Sequence, residues 1–177
     1  MEKKMMINNI KDKKDVLVLI AKDFEDVELI TTLDILSRNN KSYDLYSIQN
    51  LEVTIGKYNA LIKTKTNLEE ININNYKALF IPGGPGWKRF YSSKKALDII
   101  KQFNKENKLI ASICAAPEIL VKNDLINNRT YTSYPEVEKT NTYSGEDVEF
   151  DNNLLTAKDY LATVEFAFKL IEQLNVN

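Results

Sequence analysis

Histidine is absent from all 177 residues of this chain. Its absence excludes Ser-His-Asp and Cys-His catalytic groups, the HExxH zinc motif and every other histidine-based metal site. The glycine-rich spacings GxGxxG and P-loop are also missing, so we expect neither a cofactor nor a metal ion. Any chemistry must therefore rely on cysteine, carboxylates, lysine, tyrosine or backbone amides.

Cysteine occurs once, at position 114, so the chain cannot form an internal disulfide. A composition of this kind is typical of a reducing compartment, and we expect a cytoplasmic protein. The formal net charge of −1 argues against a nucleic-acid binder, because affinity for phosphate backbones needs clustered positive charge. No apolar run approaches the roughly 18 residues of a membrane span, so we expect no membrane partner.

Residues 1–14 are rich in lysine and lack the apolar core of a signal segment, so they are predicted to be a polar leader. The remaining residues, 15–177, are predicted to form a single domain of ordinary size. Nothing in them resembles an internal repeat or a low-complexity linker.

Short apolar runs alternate with amphipathic segments along this domain, which predicts strands that alternate with helices. Strands are predicted over 15–21, 42–48, 109–114, 130–135 and 147–157, a hairpin or meander over 51–66, a strand that enters a Gly/Pro turn over 77–86, and helices over 23–38, 93–107, 115–123 and 159–174. In the last helix, apolar residues recur at helical spacing and predict the apolar face: Leu161, Val164, Phe168 and Ile171. The alternation implies parallel βαβ units and a three-layer α/β sandwich.

Three predicted strands end in residues that could carry chemistry. The first is followed by the acidic stretch "EDVE", which includes Glu28, the second by Gly83 and Gly84, and the third by Cys114. In open α/β sheets, sites form beyond the carboxyl ends of the strands. We therefore expect these three stretches to meet.

Cys114 lies at a predicted strand-to-helix turn, where a nucleophile is exposed and the amides of the following helix point towards it. The N–H groups of Ala115 and Ala116 would favour a thiolate and stabilise a developing oxyanion. Gly84 lacks a Cβ, so its N–H could approach the same point.

Each of these features also has a purely structural interpretation. A single cysteine is commonly a buried and inert thiol, "GGPG" is commonly a plain loop, and acids at a helix start commonly face water. Their joint occurrence at three strand ends is what favours a site.

Together the stretches "VLVLIAKDFEDVEL", "LDILSR", "LFIPGG", "LIASICAAP", "TSYP" and "VEFAFKLIEQL" resemble the ThiJ/PfpI superfamily. Within it, they are similar to the branch of the Parkinsonism-associated protein deglycase and bacterial YajL. The pieces occur in family order and cover nearly all the chain after about residue 14. The resemblance implies a flavodoxin-like three-layer α/β/α sandwich with a mostly parallel central sheet.

The resemblance also implies roles for individual residues. Cys114 matches the family's reactive cysteine, which has a low pKa and oxidises readily to the sulfinic state. Glu28 matches a buried, protonated glutamate that hydrogen-bonds the sulfur, and the amides of Gly84 and Ala115 fall where the family forms its oxyanion hole. Arg38 matches an arginine near the dimer interface, so the resemblance implies a homodimer.

Two departures from the family pattern limit the chemistry. The family's histidine near the cysteine falls in the "TSYP" segment, where this chain has Tyr134. A tyrosine, with an unperturbed pKa near 10, is a poor base at neutral pH. The peptidase branch has a histidine directly after the cysteine, and here that residue is Ala115, which argues against a cysteine peptidase.

Two classes of function stay open at this point. In the first, the chain is an enzyme that acts on small reactive carbonyls such as methylglyoxal, as a glutathione-independent glyoxalase or deglycase in stress protection. In the second, it is a non-enzymatic redox sensor or stress-response protein that acts through oxidation of Cys114.

Overall fold

A computed structural model describes residues 13–176 of the chain. The strands are β1 (Lys14–Ile20), β2 (Tyr43–Ser47), β3 (Val53–Ile55), β4 (Leu61–Lys63), β5 (Tyr76–Ile81), β6 (Leu109–Ile113), β7 (Val148–Asp151) and β8 (Leu154–Ala157). The α-helices are α1 (Asp26–Arg38), α2 (Lys94–Lys105), α3 (Pro117–Val121) and α4 (Thr163–Val176). Short 3-10 helices cover Leu68–Glu70, Ile73–Asn75, Pro85–Ser92 and Tyr160–Ala162.

Six strands form one sheet in the order β2-β1-β5-β6-β8-β7, and β3 pairs with β4 in a separate antiparallel hairpin. All neighbours in the large sheet are parallel except β7 and β8. The central strands are continuous apolar runs because both faces of the sheet are covered by helices. This is the predicted flavodoxin-like α/β/α sandwich with a mostly parallel sheet.

The two helical layers bury different faces of the sheet. Helices α1 and α4 pack together on one face, over a core that includes Phe24, Phe80 and Phe166. Helices α2 and α3 cover the other face with the 3-10 segment Pro85–Ser92. Because β1, β5 and β6 lie side by side and run parallel, their carboxyl ends bring α1, the "GGPG" loop and Cys114 to one edge.

Asparagine replaces glycine at many of the tight turns. The positions with positive φ other than glycine include seven asparagines: Asn40, Asn50, Asn59, Asn107, Asn127, Asn128 and Asn152. Asparagine tolerates the left-handed region better than most residues because its side chain bonds locally to the backbone. A chain with only five glycines can therefore still make these turns.

One predicted element differs from the structure at its start, and another is absent from the described residues. The first helix begins at Asp26 rather than at residue 23, because Asp23 has φ 67° and its N–H donates to the carbonyl of Ile55. Residues 130–135 do not form a strand; Tyr131 makes one isolated bridge with Tyr143. The segment turns instead through side-chain bonds, such as that from the hydroxyl of Thr132 to the carbonyl of Glu146.

The predicted apolar face of the last helix was wrong. Leu161, Val164 and Phe168 are 76%, 53% and 54% exposed, and only Ile171 of the four is buried. The buried face consists of Phe166, Ala167, Leu170, Ile171 and Leu174. Apolar residues occupy most of the circumference of this helix, so helical spacing alone fitted two faces.

Most of the predicted leader, residues 1–12, lies outside the described residues, and β1 already includes Lys14. Among residues 13–176, no helix has the length and apolar character needed to cross a membrane.

Candidate functional site

Cys114 occupies a strained turn directly after β6. Its φ is 62°, which is uncommon for a residue with a side chain and costs on the order of 1 kcal/mol. The main chain is held on both sides, since the N–H of Cys114 donates to Ala157 (2.9 Å) and its carbonyl accepts from the N–H of Tyr134 (2.8 Å). These bonds fix the thiol at the strand-to-helix turn that the sequence predicts.

Glu28 is fully buried in the first turns of α1. Its Oε2 accepts a hydrogen bond from the N–H of Gly83 at 2.7 Å, and the Cys114 thiol interacts with the same carboxyl group. Its Oε1 is buried and has no hydrogen-bond partner among the described residues. A buried, charged carboxylate with one oxygen lacking a hydrogen-bond partner costs free energy. The site therefore favours the neutral carboxyl group, which keeps its proton.

The pKa of Glu28 follows from this environment. Burial is the largest cause and raises the pKa from 4.5 to about 8, against the lowering effect of the bonds from Gly83 and Cys114. The nearby carboxylates of Glu25 and Asp159 raise it further. Glu28 therefore carries a proton at neutral pH.

The thiol of Cys114 has opposing neighbours. Burial raises its pKa most, and the charge of Glu28 raises it further, while the N–H groups of Ala115 and Gly84 hydrogen-bond the sulfur and lower it. The net direction of the pKa is upward, because burial and the charge of Glu28 outweigh the two amide bonds. The low thiol pKa implied by the resemblance is therefore not what this environment gives. Protonation of Glu28 removes the repulsive charge and turns the carboxyl group into a donor.

Two glycines allow the three strand ends to approach one another. A Cβ on Gly83 would lie 2.6 Å from the Cβ of Cys114 and 2.8 Å from Oε2 of Glu28. Gly84 has φ 86°, and a Cβ there would lie 2.4 Å from the N atom of Glu25. A larger residue at Gly83 would push the glutamate away from the cysteine, and one at Gly84 would collide with the main chain that leads into α1.

The predicted site residues Cys114, Glu28, Gly84 and Ala115 thus come together, with both predicted amides on the sulfur. The N–H of Ala116 does not join them, because it donates to the carbonyl of Ile113 at 3.1 Å and closes the turn. Arg38 lies at the other end of α1, exposed and paired with Asp34 at 2.7 Å.

Two contributors to the site were not predicted from the sequence. The N–H of Gly83 binds Glu28, and the doubled glycine in "PGG" was the signal for it. Asp159 lies near Glu28 because β8 is the neighbour of β6, and no sequence pattern linked the two.

An open cleft of about 1040 Å³ leads to Cys114 and Glu28. Its walls come from α1, the β3–β4 turn, the 3-10 segment Pro85–Ser92, α3 and the stretch around Tyr134, whose side chain is 38% exposed. Among residues 13–176, no three histidine, cysteine or acidic side chains are grouped so that they could hold a metal ion. The cleft can bring a small molecule to a thiol, a proton-carrying carboxyl group and the two main-chain N–H groups that bond the sulfur.

The chain is similar to known proteins over most of its length. The sequence model of the DJ-1/PfpI family matches residues 14–173. A deglycase of Pyrococcus abyssi is 34% identical over 132 residues, which cover 75% of this chain and 79% of the relative. The protein dj-1beta of Drosophila melanogaster is 29% identical over 91% of this chain and 89% of its own length. The solved structure of oxidised Toxoplasma gondii DJ-1 has a TM-score of 0.84 at 28% identity, covering 91% of this chain and 90% of that one.

Proposed function

Because the chain belongs to the DJ-1/PfpI family, within the ThiJ/PfpI superfamily that its motifs indicate, we propose that Cys114 attacks small reactive carbonyls in a glyoxalase- or deglycase-type reaction. The observation that carries this proposal is the buried Glu28 carboxyl group beside the chain's single thiol, at the base of an open cleft. Relatives named deglycases, at 34% and 33% identity, support the choice of substrate class.

The first step is addition of the Cys114 thiol to an aldehyde carbon such as that of methylglyoxal. The S–C bond forms, the C=O π bond breaks, and the thiol proton passes to the oxygen, which gives a hemithioacetal. The N–H groups of Gly84 and Ala115 contact the sulfur and lie next to the carbon that it attacks. They stabilise the alkoxide before it takes the proton.

Glu28 then moves a proton between neighbouring carbons. As a carboxylate it removes the proton from the hemithioacetal carbon, and as a carboxyl group it returns one to the adjacent carbon. The hydroxyl proton passes from the first oxygen to the second through the enediol, which gives a thioester of lactate. Water hydrolyses the thioester to lactate and the free thiol, so one methylglyoxal and one water give one lactate. A pKa of about 8 suits this role, because both forms of Glu28 are accessible near neutral pH.

A redox role of Cys114 is the second candidate. In it, two equivalents of peroxide oxidise the thiol to a sulfinic acid and are reduced to two waters. The carboxyl proton of Glu28 would then hydrogen-bond a sulfinate oxygen, and its unpartnered Oε1 is the observation that favours this alternative.

The deciding experiment is an enzymatic assay for lactate formed from methylglyoxal. We expect turnover by the wild type and a loss of at least about a hundredfold in Cys114→Ser, because a hydroxyl is a much weaker nucleophile at this pH. Asp98→Asn is the matched control and should keep the wild-type rate, since Asp98 pairs with Lys94 on the exposed side of α2, outside the cleft. Equal rates in wild type and Cys114→Ser would refute the enzymatic proposal, and sulfinic acid formation without turnover would favour the redox one.

The homodimer and the cytoplasmic location stay predictions. Exposed apolar residues on the neighbouring helices α1 and α4, such as Ile30 and Phe168, support the dimer as surface that a second copy could cover. Sedimentation equilibrium would test it, and a mass of 20.4 kDa in solution would refute it.

A further inference from the structure

Charges are unevenly distributed around the cleft. Six carboxyl side chains line it, those of Glu25, Asp26, Glu28, Glu118, Glu136 and Asp159. Only three cationic side chains do so, those of Lys57, Lys88 and Lys122. Even when Glu28 carries its proton, carboxylates exceed ammonium groups, and none of the described residues that line the cleft is an arginine.

The lysines of the cleft are largely engaged with the protein itself. Lys57 pairs with Glu25 at 3.4 Å, and Lys122 pairs with Glu118 at 2.7 Å. Lys88 lies 5.8 Å from the ring centroid of Trp87. Two of the three cations are therefore already neutralised, and they offer little to an anionic ligand.

Two carboxylates that line the same cleft as Cys114 lack such a partner. Within residues 13–176, neither Glu136 nor Asp159 forms an ion pair; the carboxylate of Asp159 accepts the N–H of Leu161, at 2.9 Å. Each lies close in sequence to an exposed aromatic ring that lines the cleft, Glu136 to Tyr134 and Asp159 to Tyr160. No cation lies over either ring among the described residues, unlike the rings of Tyr58 and Trp87.

Main-chain hydrogen bonds of Cys114 connect it to the segments that carry the two carboxylate–tyrosine pairs. Its carbonyl accepts from Tyr134, and its N–H donates to Ala157, two residues before Asp159. Aromatic faces and unpaired carboxylates are the groups that attract an ammonium or guanidinium ion. The fully buried Glu28, with its unpartnered Oε1, marks the point of the same cleft where the reacting part of a ligand would lie.

We infer that Tyr134, Glu136, Asp159 and Tyr160 form a cation subsite, so that the cleft selects carbonyl compounds carrying a positive charge over those carrying a carboxylate or phosphate. The inference deepens the proposed function and rests on Cys114 as the group that meets the carbonyl. Its charge selectivity can nevertheless be measured on the thiol itself, without turnover.

The experiment compares two thiol reagents of similar size and opposite charge. Cys114 is the only cysteine, so the trimethylammonium-ethyl and sulfonatoethyl methanethiosulfonates modify one site. We measure the rate at which each reagent modifies Cys114 by mass spectrometry. The ratio of the cationic to the anionic rate is then divided by the same ratio for a small neutral thiol, which corrects for the intrinsic reactivity of the reagents. If the two unpaired carboxylates give a net charge of −2 at roughly 10 Å from the reacting sulfur, the corrected ratio should be about ten in favour of the cationic reagent. A high salt concentration should reduce this ratio.

Single substitutions locate the effect. Glu136→Gln and Asp159→Asn should each lower the corrected ratio about threefold, and Lys88→Gln should raise it about threefold. Asp98→Asn is the matched control, because Asp98 pairs with Lys94 on the exposed side of α2, outside the cleft. A ratio near or below one, a thiol unreactive towards both reagents, or an equal shift in the Asp98→Asn protein would overturn the inference.

A protection assay extends the test to aldehydes. Betaine aldehyde, which is cationic, should slow alkylation of Cys114 by iodoacetamide more than glyoxylate does at the same concentration. Equal protection, or stronger protection by glyoxylate, would contradict the cation subsite. A high charge ratio without any turnover of methylglyoxal would instead refute the proposed reaction and leave the subsite supported.

Discussion

At the amino end of the sheet, Arg129 is 7% exposed, yet its guanidinium group is matched by acceptors. It donates to the side chains of Asn104 (2.6 Å) and Asn153 (2.5 Å) and to the carbonyls of Leu125 and Ile126. Nearby, the ammonium group of Lys108 donates to two carbonyls, those of Ile73 and Tyr76. The buried Arg129 and the half-buried Lys108 hold loops together at this end.

At the carboxyl end, the buried polar group is left incomplete. Glu28 has one oxygen without a partner, the neighbouring Cys114 has φ 62°, and both line an open cleft. A group with all its bonds made is stabilising, whereas a group with bonds unmade costs stability and is available for chemistry. The contrast separates a structural polar cluster from a candidate active site within one sheet.

The largest expected effect concerns stability at the carboxyl end. Because folding raises the pKa of Glu28 from 4.5 to about 8, its protonated form contributes stability below about pH 4.5, which is lost as the pH rises towards 8. Glu28→Gln removes this dependence and keeps an acceptor for Gly83. The variant should therefore become more stable than wild type with rising pH, by up to roughly 5 kcal/mol at pH 8.

Urea unfolding of both proteins at pH 5, 6.5 and 8 measures this difference. The free energies of unfolding should be similar at pH 5 and should diverge above it. A difference that stays constant across this range would show that Glu28 ionises like an exposed carboxyl group.

At the amino end of the sheet we expect a substitution to lower the free energy of unfolding rather than to raise it. Arg129→Met leaves two asparagine side chains and two carbonyls without their donor, and should destabilise the fold by about 3 kcal/mol. The loss should be nearly the same at pH 5 and pH 8, and the alkylation rate of Cys114 in the folded variant should equal that of wild type. A neutral or stabilising substitution would show that the cluster around Arg129 does not hold its loops.

The sheet and the meeting of three strand ends could be predicted from the sequence, because continuous apolar strands and a strand-to-helix cysteine are local patterns. The exposed face of α4 could not. Phe166 and Phe168 both fit helical spacing, and only packing against the sheet decides that Phe166 is buried. Likewise, Ala116 follows the cysteine as an oxyanion donor should, but the turn geometry directs its N–H to Ile113.

The electrostatic properties of the site depended on three-dimensional contacts. The sequence shows that Glu28 is acidic, but the contribution of Asp159 to its pKa arises from the neighbouring positions of β6 and β8. The same holds for the excess of carboxylates around the cleft, since its lining residues are drawn from segments between Glu25 and Tyr160. These interactions connect residues far apart in the chain, and one sequence carries no local signal for them.

The most direct test of the Cys114–Glu28 pair is the pH dependence of thiol alkylation. Because the Glu28 carboxylate raises the pKa of the thiol, Glu28→Gln should react with iodoacetamide at least about tenfold faster than wild type at pH 9, and at a similar rate at pH 6. Glu118→Gln, a change in the same cleft, should leave the profile unchanged. Identical profiles for wild type and Glu28→Gln, or slower alkylation of the variant at pH 9, would contradict the electrostatic coupling of the two side chains.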